Sequence, residues 1–205
     1  VRDETGEIVQ FVSIGRDVTE RKQAEETIRH MAYHDALTGL PNRALFVDRA
    51  TIAIAQAKRA GGKLAVLFLD LDRLKYVNDT LGHDQGDEVI KEAGLDVWNT
   101  IRDGDTVARM GGDEYAILVT DLADTGAAEA VAGRIVEVVG RPRRLSGQDV
   151  FVTASVGIAI YPDDGDDAGV LLKSADMAMY HAKEGGGDGY ELYSHLMGVR
   201  VKERL

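Results

Sequence analysis

The run Leu64-Ala65-Val66-Leu67-Phe68-Leu69-Asp70-Leu71-Asp72 reads as a buried strand that closes on two carboxylates. Upstream of it, a helical pattern over about 43–60 stops at Gly61-Gly62. Downstream comes helical material broken at Gly82 and running on over about 84–101, then strand, Gly-Gly turn and strand over about 106–120. A helix over about 125–139, a long strand from Val150 to Ile160, a helix over about 167–183 and a short strand over about 189–193 complete the elements. The order β-α-β-β-α-β with a further α-β unit predicts an α/β (α+β) fold. Its centre is a mostly antiparallel sheet flanked by helices, around a ferredoxin-like core.

The 205 residues suffice for one domain of ordinary size plus an appendage, and 44% apolar content allows a full core. The absence of cysteine excludes disulfides, thiolate catalysis and cysteine metal sites, and fits a reducing cytoplasm. The longest apolar runs are far too short to span a bilayer, and no leader-like apolar region opens the chain. Because it starts at Val1 in mid-pattern, we read it as an excised piece, itself without membrane contact but with room for a membrane-attached segment upstream. The net charge of −11 and pI of about 4.9 argue against nucleic-acid binding. A small phosphorylated ligand neutralised by a metal ion is still compatible with that surface.

Three clusters could carry chemistry. Asp70 and Asp72 share a strand face at spacing i, i+2, which suits either a solvated strand end or an oxygen site for a hard cation. Gly111-Gly112-Asp113-Glu114 suits a two-residue hairpin turn with polar shoulders. Taken with Asp70, it would supply carboxylates from adjacent strands, as two-metal phosphoryl transfer requires. Asn78-Asp79-Thr80-Leu81-Gly82-His83-Asp84-Gln85-Gly86-Asp87 is either a capped helix break or a place where an acceptor and a carboxylate meet a planar base. The five histidines form no pair at ligand spacing on one predicted helix face.

Five linked motifs resemble the GGDEF family of diguanylate cyclases over about Asp35 to Tyr193. They are Asp35-Ala36-Leu37-Thr38-Gly39-Leu40-Pro41-Asn42-Arg43, Phe68 through Asp79, Gly82 through Asp87, Gly111-Gly112-Asp113-Glu114-Tyr115, and Ala175-Asp176-Met177-Ala178-Met179-Tyr180-His181-Ala182-Lys183. The resemblance implies a nucleotidyl-cyclase-like fold and the condensation of two GTP into cyclic di-GMP by a homodimer with facing sites. It further implies that Asp70, the Leu71 carbonyl, Asp113 and Glu114 hold Mg²⁺ (or Mn²⁺), with Asp113 also the base for the 3′-hydroxyl. Lys75 and Lys183 would neutralise the triphosphate, beside Leu74, and Asn78 and Asp87 would read guanine. Related cyclases that accept ATP often differ at Asp87, so an adenylyl cyclase is disfavoured. Arg102-Asp103-Gly104-Asp105 resembles the family's R-x-x-D site for inhibition by the product, cyclic di-GMP, through Arg102 and Asp105.

The chain departs from the pattern at Tyr115 and Leu74, where Phe is usual, and at Gly187, where an Arg often contacts phosphate. Residues 1–18 look like the last strands of a truncated PAS sensor domain. Residues 19–34 read as a linker helix, with Ala24, Ile28 and Met31 on one stripe that could pair two copies. After the main domain, 35–193, residues 194–205 are similar to the joint that leads to an EAL phosphodiesterase domain. A second reading is therefore a module that binds GTP or cyclic di-GMP and regulates an adjacent EAL domain.

Overall fold

The computed structural model describes residues 4–6, 31–145 and 147–197. Of the expected PAS strands and linker helix, only a turn at residues 4–6 and the helical residues 31–33 fall among them, with Met31 exposed; Ala24 and Ile28 lie outside. The tail beyond residue 197 also lies outside the described residues.

Helix α1 (Arg43–Ala60) starts where Asn42 Oδ1 accepts from the backbone N–H of Ala44 and Leu45, at 3.0 and 3.1 Å. Such a cap is worth about 1 kcal/mol. Strand β1 (Lys63–Leu71) follows, buried over all but its first residue. Helices α2 (Leu74–Leu81) and α3 (His83–Thr100) meet at Gly82. Strands β2 (Thr106–Gly111) and β3 (Glu114–Leu122) form a hairpin, α4 spans Thr125–Val139, and β4 (Arg143–Leu145) pairs with β5 (Gln148–Val150). Strand β6 (Ala154–Tyr161), α5 (Ala168–Glu184) and β7 (Gly189–Leu192) complete the domain.

The main sheet has the order β2-β3-β1-β6-β7, antiparallel except for the last pair. Its first four strands have the ferredoxin-like arrangement, and α5 returns the chain to add β7 parallel to β6. Alternation in β1 divides the core. Ala65, Leu67, Leu69 and Leu71 pack under α2, α3 and α4, while Leu64, Val66 and Phe68 pack under α1 and α5. The carboxylates of Asp70 and Asp72 continue the second row past the end of its apolar part.

Two boundaries differ from those read in the sequence. The long strand expected from Val150 to Ile160 is two strands, because residues 151–153 leave the ladder and Phe151 points into solvent. Gly147, at φ +82°, lets the chain double back into the small β4–β5 hairpin. The tight turn at the Gly-Gly motif lies one residue further on than expected. Gly111 pairs with Glu114, so the turn residues are Gly112 and Asp113, with Gly112 at φ +55°. Asp113 therefore sits on the turn itself and not at the start of a strand.

Candidate active site

Strand register decides which acids meet. Asp70 on β1 lies opposite Glu114 on β3 and opposite Ser155 on β6. The Leu71 N–H donates to the Asp113 carbonyl at 3.2 Å, which ties the hairpin turn to the end of β1. From the last turn of α5, Lys183 Nζ reaches Asp70 Oδ1 at 2.5 Å. Asp70 is only 8% exposed, and against the effect of burial the Lys183 ammonium pairs with that oxygen, pulling its pKa down by hydrogen bond and by charge. Burial raises the pKa of Asp70 and Asp113 adds to the rise, against the opposing pull of Lys183. Glu114 is raised too, first by burial and then by the negative charges of Asp70, Asp176 and Asp113. Four carboxylates thus crowd one cation.

This surplus of negative charge around a single ammonium fits a hard divalent cation bound through oxygen. Among the described residues no three acidic or histidine side chains converge into a ready-made metal cage.

Asp72 goes elsewhere. Its Oδ2 accepts from Thr153 Oγ1 at 2.8 Å and from the Asp188 N–H at 3.0 Å, and its Oδ1 accepts from Ser155 Oγ at 2.8 Å. It fastens β1 to β6 and to the loop after α5.

Asn78, on α2, approaches α3 closely at Gly86, next to Asp87 in the chain. A Cβ on Gly86 would overlap the Asn78 carboxamide, so glycine is what lets that side chain lie against α3 one residue from Asp87. Lys75 is exposed in the first turn of α2. Leu74 is buried in the core, so it can offer a ligand only its backbone. Tyr115 is buried, and its hydroxyl donates to the Ile90 carbonyl at 2.5 Å, which is how the extra oxygen is accommodated where Phe is usual.

The Arg102–Asp105 loop stands apart from these groups. The Asp105 side chain is buried and committed. Oδ2 accepts from Arg102 N and Nε, both at 3.3 Å, and Oδ1 accepts from Thr120 N at 3.0 Å. Arg102 is exposed and donates through Nη2 to the Thr120 carbonyl at 2.7 Å. A cavity of about 470 Å³ beside the loop is lined by Asp103, Gly104 and Asp105 and, from α1, by Arg49.

One functional group was missed in the sequence. Arg109 donates through Nη1 to both oxygens of Asp35, at 2.9 and 3.1 Å, and through Nε and Nη2 to the Gly112 carbonyl, at 3.0 and 2.7 Å. It thereby clamps the turn that carries Asp113 to the opening motif of the domain. Thr38 completes the clamp with two donors to Asp35 Oδ1.

The family profile described as "Diguanylate cyclase, GGDEF domain" matches residues 32–189. The chain belongs to the GGDEF family. It is 44% identical over 158 residues to the diguanylate cyclase TpbB of Pseudomonas aeruginosa, covering 77% of this chain and 36% of that one. A solved GGDEF domain of TpbB superposes with a TM-score of 0.81 at 40% identity, over 83% of this chain and 99% of that one. The bifunctional diguanylate cyclase/cyclic di-GMP phosphodiesterase MucR, from the same organism, is 40% identical over 187 residues, 91% of this chain and 27% of its own. The coiled coil and GGDEF domain of DgcB from Caulobacter crescentus, solved with c-di-GMP, gives a TM-score of 0.76 at 30% identity over 85% of this chain and 93% of that one. The chain spans about a quarter to a third of the length of the curated relatives. Among the described residues no helix is long and apolar enough to cross a membrane.

Proposed function

We propose that this chain is a diguanylate cyclase that condenses two GTP into cyclic di-GMP and two pyrophosphates. The observation that carries the reading is the convergence of Asp70, Glu114 and Lys183 at the end of adjacent strands, with Asp113 held on the turn above them. Asn78 and Asp87 read the guanine edge, where the carboxylate accepts paired N–H donors that adenine lacks. Lys75 and Lys183 offset the charge of the triphosphate. Asp113 accepts the proton of the 3′-hydroxyl. The freed oxygen attacks the α-phosphorus of the GTP held by a second, facing copy, and the bond to pyrophosphate breaks. The reciprocal attack closes the ring. Asp70, the Leu71 carbonyl, Asp113 and Glu114 would hold Mg²⁺ or Mn²⁺, which when bound stabilises the charge developing on the phosphoryl oxygens. Cyclic di-GMP returns as a feedback ligand at Arg102.

Incubation with GTP and Mg²⁺ followed by chromatography tests this. The chain forms cyclic di-GMP, and Asp113→Ala loses at least about 10²-fold in rate with the fold intact. Near-normal turnover in Asp113→Ala would remove it as the base.

A second reading is a weak or silent module that binds the nucleotide and regulates an EAL domain, between a PAS sensor before it and that domain after it. The relationship to the bifunctional MucR and the glycine at position 187 favour it. Binding of GTP without turnover by the wild-type chain would select it.

A further inference from the structure

Beside Lys183 lies a cavity of about 420 Å³ lined by Asp72, Arg73, Thr153, Lys183 and the Gly186–Asp188 loop. Its acids are not available to cations within it. Both oxygens of Asp72 are taken by Thr153, Ser155 and the Asp188 N–H. The Asp188 carboxylate lies towards Gly140, at the end of α4. Position 187 cannot readily contribute a side chain, because Gly187 has φ +74° and a Cβ there would stand 3.0 Å from Asp72 Oδ2.

Arg73 is different. It is exposed, and its side chain makes no hydrogen bond or ion pair with any described residue. Its backbone is held at φ +60°, a left-handed conformation that costs a non-glycine residue free energy and tends to persist at functional sites. It precedes the first turn of α2, which no side chain caps. The residue also borders a second cavity, with Tyr76 and Phe151.

We infer that Arg73 supplies the phosphate-binding guanidinium that position 187 lacks, and grips the β- and γ-phosphates of GTP across the cavity from Lys183. The inference rests on the reading of GTP as substrate. A planar guanidinium suits two phosphate oxygens at once, and reaching them from the end of β1 needs no side chain in the loop after α5.

The test is calorimetric titration of a non-hydrolysable GTP analogue with Mg²⁺, and competition by GMP, into the wild-type chain and into Arg73→Ala, Arg73→Gly and Arg73→Lys. Arg73→Ala and Arg73→Gly should bind the analogue about tenfold more weakly or worse, with GMP binding unchanged and Arg73→Lys in between. Arg73→Gly relieves the left-handed strain, so it should melt at the wild-type temperature or above while still losing affinity. Undiminished analogue binding in either variant, an equal loss for GMP, or a lower melting temperature for Arg73→Gly would overturn the assignment. A wild-type chain that binds neither nucleotide would instead overturn the GTP reading beneath it.

Discussion

Replacing Arg109 by alanine removes four hydrogen bonds at once, two to Asp35 and two to the Gly112 carbonyl. The Arg109 and Asp35 side chains are 12% and 22% exposed. Losing one partner of a fully buried pair costs about 3–5 kcal/mol. Here Asp35 keeps its two bonds from Thr38 and some contact with water, so we expect about 2 kcal/mol. For a chain of this size that lowers the melting temperature by about 4–8 °C. The pH dependence has a definite sign. Burial tends to raise the pKa of Asp35, but its bonds from Arg109 and Thr38 prevail and hold it below the ordinary value. A lowered folded-state pKa means the contribution is complete above the unfolded value, about 3.9, and fades as pH falls through the lower folded value. The gap between wild type and Arg109→Ala should therefore be full at neutral pH and narrow below about pH 4. Activity should fall further than stability does, because Asp113 follows Gly112 directly on the loosened turn. We expect kcat to drop about tenfold or more, with KM for GTP little changed, since the residues proposed to contact guanine and phosphate lie on other elements. Scanning calorimetry and chromatography of cyclic di-GMP read both quantities. A variant that melts within a degree of wild type and turns over normally would refute the clamp.

Gly86→Ala should displace the Asn78 carboxamide and reduce the preference for GTP over ATP in competition binding while the domain stays folded. Asp70→Asn should abolish turnover yet melt, without divalent ions, at the wild-type temperature or above, because it removes a charge that the folded state disfavours. Asp72→Ala should instead lower the melting temperature, since three donors lose their acceptor. In the Arg102 loop the two charges should separate by assay. Asp105→Ala leaves the Thr120 N–H and the Arg102 N–H without partners and costs about 1–3 kcal/mol of stability. Arg102→Ala, tested by calorimetric titration, should weaken cyclic di-GMP binding about tenfold or more.

Most of the fold was legible because its strands are either apolar runs or lie beside glycine turns. The run from Leu64 to Leu71 could hardly be anything but a central strand, and Gly61-Gly62 marked its start. The β4–β5 hairpin was hidden because residues 150–160 form one continuous β-prone run, and the break depends on Thr153 joining Asp72 through tertiary contacts. The position of the tight turn was misjudged by one residue for a similar reason. Two adjacent glycines look like the centre of a turn, but the register is set by pairing along β2 and β3, which places Gly111 in the ladder. The candidate acids were picked out by family resemblance. Arg109 was not, because an arginine inside a short strand gives no sign of a partner 74 residues away in the sequence.

Asp70 and Asp72 show how one local pattern acquires two destinies. Asp70 on β1 and Asp72 just past its end lie two residues apart, with identical chemistry. What separates them is the neighbouring backbone and side chains. Thr153, Ser155 and the backbone of Asp188 present three donors to the half-buried Asp72, enough to satisfy its carboxylate and lock the loop beside Lys183. Facing Asp70 are Glu114 across one ladder and the single ammonium of Lys183, with the charge of Asp113 added. The satisfied carboxylate stabilises the frame. Asp70, with one ammonium against several acids, is left in a surplus of negative charge that folding alone does not relieve. On the proposed function, a cation carried in with a triphosphate would relieve it, and the unfavourable charge at Asp70 would make this strand end receptive to a metal–nucleotide complex.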